Sequence, residues 1–345
     1  MFEVGITPDF YTDARGRFEA ALASKLEGVH GLTVRPMAER PAPEAAAEDV
    51  ARFDAILALG MRFTRQSLRG CERLAVIARW GVGYDMIDVP ALTEAGVALA
   101  ITPQAVKRPV AEAILTLIFA LAKNLREQDR LVREGKWRGQ LSRMGHGLRG
   151  KTLGSVGCGN IAREMFRLAQ PLGFGRLLAY DPFAAREEAA ALHVELTALE
   201  TVFRESDFVT VNVPLNDATR GMIGAREFGW MKPAAFLINT ARGPIVREDD
   251  LVEALRAGRI AGAGLDVFAV EPVARDNPLL ALDNVVLAPH ALAWTHELAR
   301  DNTLEACDQI LAVFRGKAPA SIVNREVLSS PLFQSKLANL RKERA

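Results

Sequence analysis

Short runs of consecutive apolar residues alternate along the chain with longer stretches in which apolar and polar positions mix at helical spacing. In the first hundred residues Phe2–Ile6, Ala55–Leu59 and Leu74–Ala78 read as strands and Phe18–Leu26 as a helix. Runs that are apolar at every position are the mark of parallel strands buried on both faces. After Thr102-Pro103 and Pro109, a pattern from Val110 to about Arg133, apolar early and charged late, predicts one long helix. Proline near its start and Gly135 beyond its end suit the asymmetry of helix termini. From Thr152 the alternation is regular, with strands at Thr152–Val156, Leu177–Tyr180, Phe208–Asn212, Ala235–Asn239, Ala263–Asp266 and Val285–Leu287. Helix-like intervals such as Ile161–Leu172 and Arg247–Ala257 separate most of them. A last amphipathic helix is expected at about Leu298–Phe314, and beyond Leu328 the chain turns polar and basic, with Arg341 to Arg344 read as a solvated end. Repeated β-α steps predict an α/β fold with doubly wound parallel sheets, whose ligands sit at the C-terminal ends of the strands.

Composition narrows the functional classes. A chain of 345 residues suggests about two domains, and 49% hydrophobic with 25% charged residues excludes a disordered chain. Lys+Arg of 43 against Asp+Glu of 42 gives a net charge of +1. No global basic field exists to draw nucleic acid or an acidic membrane. Cys71, Cys158 and Cys307 are scattered, which argues against a disulfide framework or a zinc site and for a reducing, cytoplasmic setting. The first residues lack the pattern of a secretory signal, and Ala113–Ala122 is about half the length that spans a bilayer.

The strongest local signal is Gly157-Cys158-Gly159-Asn160-Ile161-Ala162, between a predicted strand and a predicted helix. The first glycine permits a tight turn, the second admits a pyrophosphate to the backbone, and the helix N-terminus presents free N–H groups to it. Ala162 takes the place of the third glycine, where a small residue suffices. Asp181, at the end of the next strand, is placed to accept hydrogen bonds from ribose hydroxyls and to repel a 2′-phosphate, so NAD is expected rather than NADP. Arg186 stands nearby as the residue that would favour a phosphate.

Three further polar groups follow later strands: Arg242 in Asn239-Thr240-Ala241-Arg242-Gly243-Pro244, Glu271 in Val270-Glu271-Pro272, and His290 in Ala288-Pro289-His290. Singly, each has an ordinary explanation: a helix cap or an ion pair with Glu248, a turn residue, a packed loop histidine. Together at one sheet edge they match the needs of 2-oxo acid reduction. A guanidinium offers a fork of donors to a carboxylate. A histidine can protonate the carbonyl oxygen, and a carboxylate on its other nitrogen favours the imidazolium. His30, His146, His193 and His296 lack such partners and are assigned to surface or packing; no histidine pair has metal-ligand spacing, so no metal is expected.

These segments, with Arg79-Trp80-Gly81-Val82-Gly83-Tyr84-Asp85, Val110-Ala111-Glu112, Tyr180-Asp181-Pro182, Val213-Pro214-Leu215 with Thr219, and Gly264-Leu265-Asp266-Val267-Phe268, occur in order over roughly residues 55–327. In that order they resemble the D-isomer-specific 2-hydroxyacid dehydrogenase family. The resemblance implies two Rossmann-like doubly wound domains with an interdomain cleft. Residues 1–103 and 293–330 would form the substrate-binding domain, residues 104–292 the NAD-binding domain, and residues 331–345 a polar tail. It implies Arg242 on the substrate's carboxylate and carbonyl, His290 as acid/base, Glu271 as its orienting partner, and the N–H groups of Val82 and Gly83 on the carboxylate. Cofactor contacts carried over are Gly157, Gly159, Asn160 and Ile161 at the pyrophosphate, Asp181 at the ribose, Pro214 and Thr219 along the cleft, Thr240 and Ala241 beside the nicotinamide ribose, and Asp266 near the carboxamide, with His290 at the same edge. It also implies a homodimer joined through the nucleotide domain, and hinges near Pro103 and Pro289–Ala293.

Trp80 and Trp294 are bulkier than the family's pattern and are read either as reshaping the pocket or as packing. Arg79, Lys107 and Arg108 are candidates for binding a phosphorylated substrate. No room is left for the C-terminal regulatory domain of some phosphoglycerate dehydrogenases, so feedback by serine is not expected. The alternatives are formate or phosphite oxidation on the same scaffold and an NADH-sensing regulator of the C-terminal-binding-protein type. The Glu271–His290 pairing stands against formate, since by resemblance formate dehydrogenases carry an amide there; no recruitment surface or basic stripe supports the regulator.

Overall fold

The computed structural model describes residues 1–39 and 44–342. Two compact units divide the chain: Met1–Val106 with Trp294–Ala345, and Lys107–Ala293.

The first unit is built on five strands, β1 (Phe2–Ile6), β2 (Leu32–Pro36), β3 (Ala55–Ala58), β4 (Val76–Arg79) and β5 (Ala98–Ala100), all parallel in the order β2-β1-β3-β4-β5. Side chains alternate between two cores: Val76 and Ala78 join Phe10, Phe18 and Phe314, while Ile77 joins Ile56, Phe63 and Leu99. Burial on both faces explains why β3 is apolar at consecutive positions. β2 and β5 escape the sequence reading for opposite reasons, since β2 is a mixed edge strand of Leu-Thr-Val-Arg-Pro and β5 is three residues long.

The far end of the chain completes this unit. Ile310 and Phe314 of the His296–Phe314 helix enter the same core as Val76. The polar tail expected from residue 331 is instead a helix, Pro331–Lys342. Phe333, Leu337 and Leu340 fall on one face at i, i+4 and i+7 and are buried, and this spacing outweighs the basic composition. Lys336 Nζ donates to the carbonyls of Leu74, Ala95 and Gly96 at 2.7, 2.8 and 3.2 Å. Burial pulls its pKa below the usual lysine range. Of the end expected to be solvated, Arg341 donates through Nε to the Gly316 carbonyl (2.7 Å), and Arg344 lies outside the described residues.

The second unit carries seven parallel strands, β6 (Thr152–Val156), β7 (Arg176–Tyr180), β8 (Val194–Leu196), β9 (Phe208–Val211), β10 (Phe236–Asn239), β11 (Gly262–Leu265) and β12 (Val285–Leu287). Their order is β12-β11-β10-β9-β6-β7-β8, so the winding reverses between β6 and β9. Such a switch point is where doubly wound sheets bind ligands. Phe236 and Ile238 face one core with Ile118 and Phe166; Leu237 faces the other with Val252 and Leu255.

The single helix expected from Val110 to about Arg133 is two helices, Pro103–Ala122 and Leu125–Arg133. Pro109 lies inside the first of them. Between them Asn124 takes a left-handed backbone (φ +52°), a conformation asparagine tolerates, and its amide binds Glu127. The apolar-to-charged transition in the sequence marks that break.

Candidate active site

The loop after β6 leads into the Asn160–Ala169 helix. Gly157 has φ +102°, and a Cβ there would lie 2.5 Å from the Asn212 carbonyl oxygen, so the approach of the β6 and β9 ends requires glycine. Around Gly159 the space is open, with nothing within 4 Å of a built Cβ. The N–H groups of Asn160 and Ile161 find no acceptor among the described residues. Ala162 is fully buried, as its packing role demands. Asp181 follows β7; its carboxylate accepts the N–H of Cys158 (2.8 Å) and of Phe183 (2.9 Å), which holds it beside the glycine loop. Open backbone at a helix N-terminus with a carboxylate at the next strand end fits a dinucleotide.

Pro214 and Thr219 lie in the loop after β9, where the Thr219 hydroxyl donates to the Pro214 carbonyl (2.6 Å) and accepts the Asn216 N–H (2.9 Å). Thr219 shapes this loop, which sequence alone did not reveal. Thr240 and Ala241 form the turn after β10. Asn239 clamps it, accepting the Ala241 N–H and donating to the Arg242 carbonyl, both at 3.0 Å. A buried asparagine ending an apolar strand was the overlooked signal.

Arg242, Glu271 and His290 follow β10, β11 and β12, three adjacent parallel strands, and so share one sheet edge. A Cβ on Gly243 would fall 1.8 Å from the Phe268 carbonyl oxygen, so glycine permits the turn bearing Arg242 to pack on the segment leading to Glu271. Arg242 is half-buried and donates through Nη1 to the Ala241 carbonyl (2.8 Å). Glu271 accepts the Phe268 N–H on Oε1 (2.9 Å) and meets His290 Nδ1 with Oε2 (2.7 Å). With Nδ1 engaged by a carboxylate, Nε2 is the nitrogen left for proton exchange. Asp266 takes a part that sequence did not assign: it accepts the N–H groups of Ala291 (3.1 Å) and Leu292 (3.2 Å), fixing the chain just after His290. Burial pushes the Asp266 carboxyl above its ordinary range.

Burial also works to raise Glu271, but the His290 and Phe268 hydrogen bonds prevail and hold it below the usual 4.5. A depressed carboxyl stabilises the fold above its unfolded pKa, and the stabilisation is lost as pH falls through the lower folded value. Glu271→Gln is therefore expected to be less stable than the parent at about pH 5–6, the gap closing as pH falls further. Urea denaturation across pH 3–8 reads this, and a pH-independent gap overturns it.

Val82 and Gly83 lie in the first unit, in the turn after β4, and the described residues offer their N–H groups no acceptor. Trp80 is a core residue: its Nε1 donates to Thr303 Oγ1 (2.9 Å) and its ring meets Trp294 edge-on at 5.8 Å. His30, His193 and His296 are exposed, and His146 sits edge-on against Phe236.

Residues 115–291 match the family model described as D-isomer specific 2-hydroxyacid dehydrogenase, NAD binding domain. The chain is 38% identical over 310 residues to a glyoxylate reductase of Korarchaeum cryptofilum, covering 88% of this chain and 93% of that protein. It is 36% identical over 282 residues to a D-3-phosphoglycerate dehydrogenase of Archaeoglobus fulgidus, covering 81% of this chain and 53% of that one. Among solved structures, a glyoxylate reductase from Paecilomyes thermophila matches with a TM-score of 0.79 at 27% identity, covering 93% of this chain and 98% of its own.

Proposed function

This chain belongs to the D-isomer specific 2-hydroxyacid dehydrogenase family, an NAD-dependent oxidoreductase interconverting 2-hydroxy and 2-oxo acids, and we propose that it reduces a short 2-oxo acid of the glyoxylate or hydroxypyruvate kind. The observation that carries the residue roles is the Glu271–His290 hydrogen bond at the strand ends beside Arg242. When bound, the nicotinamide supplies or accepts the hydride. The rest is the chain's part. Arg242 holds the substrate's carboxylate through its forked donors. His290 delivers a proton from Nε2 to the carbonyl oxygen as negative charge develops there, and Glu271 stabilises the imidazolium and fixes its orientation. The amides of Val82 and Gly83 add donors to the carboxylate.

Asn160 and Ile161 offer N–H groups to the pyrophosphate, and Asp181 accepts the ribose hydroxyls while its charge disfavours a 2′-phosphate. Loss of NADH absorbance against a panel of 2-oxo acids tests the whole reading. Rapid turnover of glyoxylate or hydroxypyruvate is expected, with NADPH at least about tenfold poorer. No turnover of any acid despite NADH binding overturns the substrate assignment, and equal use of NADPH overturns the role of Asp181.

The chain is further proposed to pair as a homodimer through the second unit, where Phe119, Leu125, Val132, Trp137 and Met144 expose large apolar side chains within one stretch of sequence. A monomer by sedimentation at micromolar concentration overturns this. We further propose a cytoplasmic setting, a reading supported by three free, buried thiols, of which burial pushes Cys307 up to about 12. Among the described residues no helix is long and apolar enough to cross a membrane.

A further inference from the structure

The turn Trp80-Gly81-Val82-Gly83 has three of its carbonyls bound by the chain itself. Arg79 takes two of them, donating through Nε to the Gly83 carbonyl (2.9 Å) and through Nη1 to that of Trp80. Thr102 takes the third, its N–H donating to the Gly81 carbonyl (3.1 Å). The same threonine accepts the Gly81 N–H on Oγ1 (2.8 Å) and passes its own hydroxyl proton to Asn302 Oδ1. Thr102 and Asn302 are buried, and the Trp80 N–H is bound by the Ala58 carbonyl (2.8 Å). Gly81 is held at φ +130°, with the Arg79 guanidinium beside it where a side chain would stand.

The remainder of this count is the Val82 carbonyl and two successive N–H groups, those of Val82 and Gly83, for which the described residues hold no acceptor. Successive backbone N–H groups left without a chain acceptor in a turn can form an anion-binding concavity. The Gly81 carbonyl shares a peptide plane with the Val82 N–H, and the bound Trp80 and Gly83 carbonyls flank it on either side, so the Val82 N–H has little freedom to turn away from an arriving anion. The nearby guanidinium adds positive potential without being needed as a ligand.

We propose that Arg79 and Thr102 are positioning residues for the acid's carboxylate, holding the Val82 and Gly83 amides as a preformed anion site: Arg79 binds two carbonyls of the turn, and the Thr102 hydroxyl, anchored on Asn302, fixes the Gly81 N–H. The proposal rests on the reading of these two amides as carboxylate ligands. It gives Arg79 a task within the fold in place of the phosphate contact its charge suggested.

The test is Thr102→Val, which keeps the shape and removes both hydroxyl bonds. For the best 2-oxo acid, KM is expected to rise about tenfold with kcat lowered less than about threefold and the NADH dissociation constant unchanged, the split of an interaction lost in substrate binding. Thr102→Ser is expected to stay within about twofold of the parent, since the hydroxyl is kept. An unchanged KM in a folded, NADH-binding Thr102→Val overturns the proposal, as does a Thr102→Ser no better than it. Should Thr102→Val fail to bind NADH, Arg79→Lys carries the same expectation, because it keeps the charge and loses the fork. Val82→Pro, which deletes an N–H that the chain does not use and fixes φ at that position, separates the two readings. If Val82→Pro raises KM and Thr102→Val does not, the clamp fails alone; if Val82→Pro leaves KM unchanged, the amides do not bind the carboxylate and both fall. Gly83→Pro serves in its place if Val82→Pro loses NADH binding.

Discussion

Alanine at position 290 is expected to lower kcat about 10³-fold, the middle of the range for losing a positioned acid/base, while NADH affinity stays within about twofold. The imidazole is half-exposed and its Nδ1 is committed to Glu271, so the variant removes a proton donor and little packing. His290 has φ +55°, a backbone that alanine adopts with strain and asparagine more readily. Comparing His290→Ala with His290→Asn therefore separates backbone from chemistry. Equal losses of kcat in both assign the effect to the missing imidazole. Recovery in the asparagine variant, or loss of NADH binding in both, makes His290 a structural residue.

Arg242→Ala is expected to lower kcat/KM about 10³-fold or more, with KM rising as well as kcat falling. Its guanidinium follows β10 in a turn clamped by Asn239, so the fork is presented by a rigid strand end rather than by a mobile loop. Arg242→Lys is expected to recover little of the activity, because an ammonium supplies charge without two parallel donors. A loss below about tenfold in the alanine variant contradicts the assignment. Steady-state kinetics with the best 2-oxo acid, alongside NADH titration, reads both outcomes.

What could be read from the residues was whatever rests on burial of both sheet faces and on strand ends. β1, β6 and β12 come out at the expected bounds because short, largely apolar stretches between turn residues have few other uses. Arg242, Glu271 and His290 stood out because polar groups just beyond such strands lie at one edge by topology. The short strands β5 and β8 carry too few residues to generate a pattern. The break at Asn124 hid inside a helical periodicity that a single left-handed residue does not interrupt. The last helix was lost to its composition, although Phe333, Leu337 and Leu340 carried the spacing. Hardest to see were groups that act on backbone: Asn239, Asp266 and Thr102 each bind main-chain atoms close in space to the candidate residues. No side-chain pattern announces a hydrogen bond to an amide.

The division of the first unit between both ends of the chain sets an order of events during synthesis. The second unit is one unbroken segment, Lys107–Ala293, and leaves the ribosome whole. The first hundred residues emerge earlier, yet the core against β4 lacks Ile310, Phe314, Phe333 and Leu337 until the last of the chain is made. At about 5–20 residues per second, the roughly 210 residues between the end of β5 and Ile310 keep the N-terminal sheet waiting for about 10–40 seconds, reversing the usual N-terminal-first sequence. In that interval the chain presents the face of β4 uncovered to its neighbours on the polysome, and a stop codon a few dozen residues early would make the exposure permanent.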